Sequence, residues 1–351
     1  WIVNMLLLLV TLGLYWPWAK VRRLRYFWGN TLVDGDALGF HGNPRQMFKG
    51  WVLVAVLFGL YNWAGNLSPV AGLVAFVLLA LIWPALWRSS MVFRMANTSW
   101  RGLRMQFAGS LRDAYMAFLP LLLAVLPFML VSLIGEGKGK ATPPFWVTGV
   151  LSVSMLAVVG AMPWLLWRMK AYQHRHYVLG PLQTEFRARV RSFYGLSIKP
   201  FLVMVGASVL LGAVMFFLVF NGGKPGLKQI AYVPMVVLLF WGLFLFGLGP
   251  WWTTRLQNLV WTKTGNSQVR FVSRLGLPQM LWLSLKNGLL IAVTLGLYWP
   301  FAKVAMARLR LEAVHLRTVT DLHELLASEQ PVSDEAAGDA AGDFFGLDVG
   351  L

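Results

Sequence analysis

The chain has 351 residues, of which 58% are hydrophobic and only 13% are charged, and its formal net charge at pH 7 is +17. A soluble core cannot bury that proportion of apolar surface, so the composition indicates that lipid surrounds much of the protein. The chain contains no cysteine, which excludes disulfide and thiolate chemistry. Basic loops beside membrane segments explain the positive charge, which therefore does not indicate a nucleic-acid partner.

The first element is an apolar segment that breaks at Thr-Leu-Gly-Leu-Tyr-Trp-Pro and continues as a basic helix. It runs from Asn4 through Thr11, Gly13 and Tyr15 to Lys20. This order is typical of a membrane segment that reaches the interface. Because the chain opens at Trp1 without Met and is apolar from the start, we expect further residues upstream rather than a cleaved signal peptide.

Six apolar stretches follow, each long enough to cross a bilayer, which requires about 20 residues. They cover 47–65, 68–88, 114–134, 144–167, 198–220 and 230–252, and short turns join them into three hairpins. The only cations in those turns are Lys138, Lys140, Lys224 and Lys228. The positive-inside rule therefore predicts a multi-pass protein of the bacterial inner membrane, with its long basic loops in the cytoplasm.

The spans that end on the basic side share a signature, in which Pro is followed by one or two Trp and then by a cation. Proline bends the end of a helix, Trp prefers the headgroup level, and long cationic side chains reach lipid phosphates. The signature predicts interfacial anchors at Trp16, Trp18, Trp83, Trp87, Trp164, Trp167, Trp251, Trp252 and Trp299.

A polar stretch with a Gly-containing turn comes after most copies of this signature. The stretches 26–48, 93–107, 174–193 and 261–271 are each predicted to form a short β-hairpin. We interpret the chain as several degenerate copies of one module. The predicted fold is an all-α polytopic membrane protein with six transmembrane helices, two repeated broken segments, short β-hairpin-like cytoplasmic loops and internal repeats.

The second broken segment begins at Asn287 and repeats the first, with Thr294, Gly296 and Tyr298 at matching spacings. If this copy spans the membrane, the cations after it emerge on the exterior, against the positive-inside rule. A dip into the bilayer is favoured by the short apolar run, which Lys286 and Asn287 interrupt, and by the helix-terminating Thr-Leu-Gly and Tyr-Trp-Pro. Two copies that span in opposite senses, as in inverted-repeat transporters, remain the alternative.

The two breaks are also the candidate ligand site. We expect backbone groups freed at a break to be buried in protein or to line a wet cavity. The candidate ligand-binding residues are Asn4, Thr11, Gly13, Tyr15, Asn287, Thr294, Gly296 and Tyr298. A basic cytoplasmic mouth is predicted beside them, formed by Lys20, Arg22, Arg25, Lys303 and Arg308. The alternative interpretation is that these Asn and Thr side chains only satisfy neighbouring helices.

No pattern in the chain is typical of an enzyme. The acidic residues that precede Glu312 lie in loops or at span ends, and no two are placed for acid–base catalysis. His174 and His176 lack a nearby acid or Cys, which makes them a weak metal signal. We therefore expect no catalytic residue, no metal and no cofactor.

The composition changes after Arg310. Residues 1–311 are predicted to form the membrane domain, residues 312–330 an amphipathic cytoplasmic helix, and residues 331–351 an acidic, disordered tail. Clustered Phe and Leu are wasteful in a purely solvating segment. Phe344, Phe345 and Leu347 are therefore candidate contacts for a protein partner or for the basic face of the chain itself.

Three motifs carry a resemblance to a known family. They are the Thr-Leu-Gly-Leu-Tyr-Trp-Pro run in both copies, the run Arg-Tyr-Phe-Trp-Gly-Asn-Thr that ends at Thr31, and Phe-His-Gly-Asn-Pro over residues 40–44. With these motifs the chain resembles the YjgN-like family of bacterial inner-membrane proteins, a domain of unknown function. The resemblance implies a location and a fold but no activity, and it implies a membrane peptidase as a candidate partner.

The sequence as a whole favours a transporter- or channel-like protein for a small solute or lipid, because the module is duplicated and its helices are broken. The alternative is a non-catalytic scaffold or adaptor that binds a partner protein through its cytoplasmic face and tail. Membrane lipids are expected partners in both cases, and the sequence does not fix the oligomeric state.

Overall fold

The computed structural model describes residues 1–135, 145–220 and 240–319, together with residues 234, 237 and 238. It divides into two units, Trp1–Phe186 and Arg187–Arg317. In each unit long helices alternate with short β-hairpins, as the repeated module predicts.

The described residues of the first unit form six helices and seven short strands. The helices are α1 (Ile2–Val10), α2 (Trp16–Gly29), α3 (Pro44–Leu67), α4 (Pro69–Ala96), α5 (Leu111–Gly135) and α6 (Phe145–Arg175). The strands are β1 (Leu32–Val33), β2 (Asp36–Phe40), β3 (Thr98–Trp100), β4 (Leu103–Phe107), β5 (Tyr177–Leu179), β6 (Leu182–Gln183) and β7 (Glu185–Phe186).

The second unit repeats this alternation. Its helices are α7 (Val190–Phe220), a π-helix (Phe244–Leu248), α8 (Gly249–Thr262), α9 (Leu277–Val293) and α10 (Trp299–Glu312). Its strands are β8 (Thr264–Gly265), β9 (Val269–Ser273) and β10 (Val314–Thr318). The amphipathic helix predicted from residue 312 is wrong at its start, because residues 314–318 form a strand. The remainder of that prediction and the predicted tail lie outside the described residues.

Among the described residues, four helices are long and apolar enough to cross a membrane. They are Pro44–Leu67, Pro69–Ala96, Phe145–Arg175 and the Val190–Phe217 part of α7, and they coincide with four of the six predicted spans. The third predicted span lies in α5, a helix of 25 residues with Pro120 and Pro127 inside it. The sixth predicted span, 230–252, is described only in part, and it includes the π-helix.

The starts of the long helices follow from local side-chain caps. Asn43 accepts a hydrogen bond from the Arg45 amide at 2.9 Å, and Pro follows it at the first helical position. Ser68 caps α4 in the same way through the Ala71 amide, at 3.1 Å. Each cap satisfies an amide that the helix leaves without a partner, so it stabilises the helix at this boundary by about 1 kcal/mol.

All four predicted hairpins are present, and turn chemistry explains two of them directly. Asp34 and Gly35 have φ of 52° and 82°, and Arg101 and Gly102 have φ of 50° and 80°. In each case the flanking residues pair across a two-residue loop. Two positive φ values define the type I′ turn, whose twist matches that of antiparallel strands. Arg101 also joins the two turns by ion pairs of 2.9 Å to Asp34 and 2.5 Å to Asp36.

The hairpins of the first unit join into one sheet of six strands in the order β1-β2-β3-β4-β5-β6. Leu38 pairs with Trp100, and Gln106 pairs with Val178. In the second unit β9 lies between β8 and β10. The predicted all-α class is therefore wrong in this respect, because strands distant in the chain pair with one another.

Two apolar clusters hold this sheet to the helices of the first unit. In the larger cluster the Trp87 ring packs against Phe118 at 4.9 Å and Tyr172 at 5.2 Å between ring centroids. The smaller cluster contains Val21, Leu24, Phe40, Met47 and Phe93. Strand residues such as Phe40 therefore share a core with residues of α2, α3 and α4.

Candidate functional site

The first Thr-Leu-Gly break is a tight turn between two helices. α1 ends at Val10 with Thr11 as its C-cap, and the next two residues, Leu12 and Gly13, have φ of 49° and 88°. The Gly13 amide donates to the Leu8 carbonyl at 2.8 Å, and the Leu12 amide donates to the Leu9 carbonyl at 3.2 Å. This pair of bonds defines a Schellman motif, with Leu in the left-handed position that Gly usually takes.

The Thr11 hydroxyl completes this turn. It donates to the Leu7 carbonyl at 2.6 Å and accepts from the Tyr15 amide at 3.0 Å. The Leu14 amide donates to the Thr11 carbonyl at 3.0 Å, and the Trp16 amide donates to the Gly13 carbonyl at 3.0 Å. Every amide N–H from residue 11 to residue 16 is therefore hydrogen-bonded inside the turn.

The second break repeats this geometry almost atom for atom. Leu295 and Gly296 have φ of 50° and 94°, and the Gly296 amide donates to the Ile291 carbonyl at 2.8 Å. The Thr294 hydroxyl donates to the Leu290 carbonyl at 2.6 Å and accepts from the Tyr298 amide at 3.0 Å. The duplicated sequence thus encodes the same helical turn twice.

The expectation that these breaks free backbone groups does not hold for the amide N–H groups. Since the turn satisfies its own amides, neither surrounding protein nor a wet cavity is needed to hydrogen-bond them. The same bonds occupy the hydroxyl groups of Thr11 and Thr294. Four of the eight candidate ligand-binding residues, the two Thr and the two Gly, therefore serve the turn itself.

The tips of the two turns are apolar and strained. Leu12 is 92% exposed and Leu295 is 94% exposed, and Leu14 and Leu297 are more than half exposed. The left-handed conformation costs a Leu residue about 1 to 2 kcal/mol, and here no protein contact offsets that cost. A fully exposed Leu in that conformation is an unfavourable choice in water, but lipid is a favourable environment for its side chain.

The two candidate Asn residues connect the arms of each hairpin, although by different bonds. Asn4 accepts a hydrogen bond from Arg22 at 3.4 Å. Asn287 is 5% exposed, and its side-chain amide donates to the Ala302 carbonyl at 3.4 Å. The Oδ1 atom of Asn287 and the hydroxyl of Tyr15 are buried and have no hydrogen-bond partner among the described residues.

The residues of the predicted basic mouth differ in burial and in their partners. Lys20 is buried, with its ammonium 4.7 Å from the centroid of the Trp16 ring. Lys303 is exposed, and it lies 5.0 Å from the Trp299 ring. Arg25 donates to the Gly42 carbonyl at 3.3 Å. Its counterpart in the second copy, Arg308, forms a 2.7 Å ion pair with Glu312.

The predicted Trp anchors differ in their surroundings. Trp87 is 3% exposed and lies in a core, so it is not available to a membrane interface as predicted. Trp83 packs against that core and is partly buried. Trp16, Trp164 and Trp299 each carry a cation over the ring, as the Pro-Trp-cation signature requires. The other anchors, Trp18, Trp167, Trp251 and Trp252, are partly exposed.

Sequence reasoning missed a polar connection in the second unit. The Gln257 amide donates to the Arg310 carbonyl at 2.8 Å and accepts from Arg310 Nε at 2.7 Å. Burial lowers the pKa of Arg310. Asn258 bonds both the amide and the carbonyl of Leu275, at 2.8 and 2.9 Å, and so fixes the start of α9. The adjacent Gln-Asn pair beside a Trp-rich helix was the only sequence signal.

The π-helix is the second feature without a sequence signal. A Cβ atom added to Gly288 would lie 2.3 Å from the Phe246 ring, so this ring packs directly on the α9 backbone. Gly288 follows Asn287, and the buried amide of the hairpin therefore lies next to this contact. Single π-turns within membrane helices often mark functional positions.

No group of three His, Cys, Asp or Glu side chains in the described ranges is placed to hold a metal ion. His174 instead contacts the rings of Tyr177 and Phe186, at 5.4 and 5.8 Å between centroids. Loss of water around the Tyr177 hydroxyl raises its pKa to about 12. These rings form part of the packing beneath β5.

Comparison with known proteins gives a family and three named relatives. The family model described as "Bacterial protein of unknown function (DUF898)" matches residues 1–344. The inner membrane protein YjgN of Salmonella typhimurium is 24% identical over 352 residues, which cover 95% of this chain and 89% of the relative. The proteins of the same name from Escherichia coli O157:H7 and strain K12 are 23% and 22% identical, and each alignment covers 94% of this chain and 88% of the relative. No solved structure gives a significant match.

Proposed function

Because the chain belongs to the DUF898 family of bacterial proteins of unknown function, and its relatives are inner membrane proteins, we propose that it is a transporter-like membrane protein that acts on phospholipid. In this proposal it is a non-catalytic, multi-pass protein of the inner membrane, with its β-hairpins in the cytoplasm. The observation that carries the proposal is the duplicated helical hairpin with an exposed apolar tip.

The hairpins are proposed to be re-entrant rather than spanning. α9 has 17 residues, and a helix of that length reaches about 25 Å, which is less than the hydrocarbon thickness of about 30 Å. The cations Lys303 and Arg308 then stay on the cytoplasmic side, as the positive-inside rule requires. Since the turn satisfies all its amide N–H groups, fewer backbone groups need an outside partner if its tip ends inside lipid.

The chemical groups at the tips of the two hairpins favour lipid over a small polar solute as the ligand. A polar solute needs free donors or acceptors, and the turns use their amide N–H groups and Thr hydroxyls internally. The groups that remain outward are Leu side chains, which suit acyl chains, and cations stacked on Trp rings, which suit headgroup phosphates. A wedge of this kind in one leaflet would disturb lipid packing and lower the barrier to lipid movement between leaflets.

The test is lipid movement in proteoliposomes that contain the purified full chain. A fluorescent phospholipid is placed in both leaflets, and dithionite then quenches the outer one. The proposal predicts that the protein raises quenching above the half reached in protein-free vesicles, because inner lipid reaches the outer leaflet. If the purified chain gives the same quenching as protein-free vesicles, a lipid-moving function is refuted.

A variant and its control distinguish an effect of the hairpin tips from an effect on folding. Leu12→Asn with Leu295→Asn places a polar residue that tolerates the left-handed conformation at both tips, so the turns should form as before. We expect a several-fold slower movement of lipid with an unfolding temperature that is not lowered. The matched control, Leu111→Asn, changes a Leu that is 47% exposed and belongs to α5, not to either hairpin. Equal loss in both variants would mean that general surface polarity, not the tips, matters.

A further inference from the structure

Helix α10 of the second hairpin presents an apolar face that the described residues leave substantially exposed. Phe301 is 66% exposed, Val304 is 38% exposed and Leu311 is 49% exposed. Arg308 lies among them, since positions three, four and seven apart share one side of a helix. An exposed apolar patch of this kind, beside a cation, marks an interaction site.

The first hairpin shows what this face contacts when it is covered. The residues at matching positions of the repeat are Trp18, Val21, Arg25 and Trp28. Val21 is 1% exposed and shares a core cluster with Phe40 and Met47. The segment that covers this face follows β1 in the chain and consists of strand β2 and the first turns of α3.

Distances confirm this contact along the whole length of α2. The Trp18 ring lies 5.4 Å from Phe48, and the Trp28 ring lies 5.9 Å from Phe40, between centroids. Arg25 donates to the Gly42 carbonyl at 3.3 Å. The segment that covers α2 therefore contacts this face through an aromatic residue at each end and through a backbone carbonyl that accepts from the cation.

In the second copy the segment at the matching place in the chain is 320–351, which follows β10 as β2 and α3 follow β1. We propose that residues 320–351 dock on the exposed face of α10. The segment contains eight Asp and Glu residues and no Lys or Arg, so its charge complements Lys303 and Arg308. It also supplies apolar side chains at Phe344, Phe345 and Leu347. With 32 residues it is longer than the stretch 36–48 that covers α2.

The native absence of cysteine makes this proposal directly testable by labelling. Leu311→Cys is introduced into the full chain and into a chain that lacks residues 320–351, and a membrane-impermeant maleimide is applied to inverted membrane vesicles. We expect labelling of Leu311→Cys to be at least several-fold slower in the full chain. The control, Tyr26→Cys, lies at a 53% exposed position of α2 and should be labelled at the same rate in both chains. Equal rates for Leu311→Cys in both chains would overturn the proposal.

A second measurement identifies the occupant. A benzophenone maleimide on Leu311→Cys is irradiated in membranes, and the cross-linked peptide is identified by mass spectrometry. A peptide from residues 320–351 within the same chain supports the proposal. A lipid adduct, a cross-link between two copies of the chain or a cross-link to another protein would each refute it. Neither measurement depends on lipid movement, so this inference and the proposed function can fail separately.

Discussion

Replacing Thr294 by Val removes one hydroxyl from the second hairpin and leaves the shape of the side chain unchanged. That hydroxyl accepts the hydrogen bond of the Tyr298 amide at 3.0 Å and donates to the Leu290 carbonyl at 2.6 Å. The Leu290 carbonyl still accepts from the amide of residue 294, at 3.0 Å. The group that loses its only partner is therefore the Tyr298 N–H.

The cost of this loss depends on what surrounds the turn. If the hairpin lies in lipid, no water replaces the hydroxyl, and an unsatisfied amide costs about 2 to 3 kcal/mol. If water reaches the turn, the amide is hydrated and the cost falls to about 1 kcal/mol or less. For a cooperative unit of the size of Arg187–Arg317, 2 to 3 kcal/mol lowers the unfolding temperature by roughly 6 to 10 °C.

The assay is thermal unfolding in lipid nanodiscs, followed by the fluorescence of the 18 Trp residues. Thr294→Ser is the control, because it keeps the hydroxyl and loses only a methyl group. We expect Thr294→Val to unfold several degrees below Thr294→Ser, and Thr11→Val to show the same difference from Thr11→Ser. If the Val and Ser variants unfold within about 1 °C of each other, the argument for a dry turn is refuted.

Four further changes test separate parts of the structure by the same unfolding assay. Gly296→Ala should destabilise by about 1 kcal/mol through its φ of +94° alone, since no atom lies within 4 Å of the added Cβ, and a neutral result would contradict the strained turn. Leu295→Gly should stabilise by about 0.5 to 1 kcal/mol, because it relieves a left-handed Leu; a lower unfolding temperature would show that the side chain has a protein contact. Gln257→Leu removes both hydrogen bonds to Arg310 and should destabilise the fold by about 2 to 3 kcal/mol. Gln257→Glu keeps the acceptor for Arg310 Nε and should destabilise it less. Equal effects would mean that the hydrogen bond from Arg310 Nε contributes little to stability. The pKa of Tyr177 is raised to about 12, above the usual value near 10. The unfolded state therefore releases the Tyr177 proton at lower pH than the folded state, and stability is lost as pH rises from about 10 to 12. Tyr177→Phe should flatten this alkaline loss of stability, and an unchanged loss would refute the assignment.

Local signals in the sequence were enough to predict the modules. The Asp34-Gly35 turn, the Pro residues that follow the capping side chains and the apolar runs each act over a few residues, and hairpins and long helices were predicted where they occur. The repeated Thr-Leu-Gly run located both breaks. It did not reveal that the turns satisfy their own amides, because that depends on the hydroxyl of Thr11 bonding in two directions at once.

Contacts between distant residues could not be predicted in this way. The pairing of β2 with β3 joins Phe40 to Thr98, and no local pattern specifies which hairpin edge meets which. Trp87 has the same Pro-Trp-cation context as the other Trp residues predicted to lie at the interface, but the rings of Phe118 and Tyr172 cover it. The second hairpin was assumed equivalent to the first, and only burial distinguishes the covered Val21 from the exposed Val304.

The strand order of the first sheet has a consequence for how the protein is made. Its six strands are paired in the order in which a ribosome produces them. Each new hairpin can therefore join the edge left by the previous one, once the helices between them have been made. Strand β4 waits longest, because α5 and α6 must be synthesised before β5 exists. Until then its edge is a template for the wrong partner, so slow folding of these two helices would leave the nascent chain most vulnerable to misassembly at this stage.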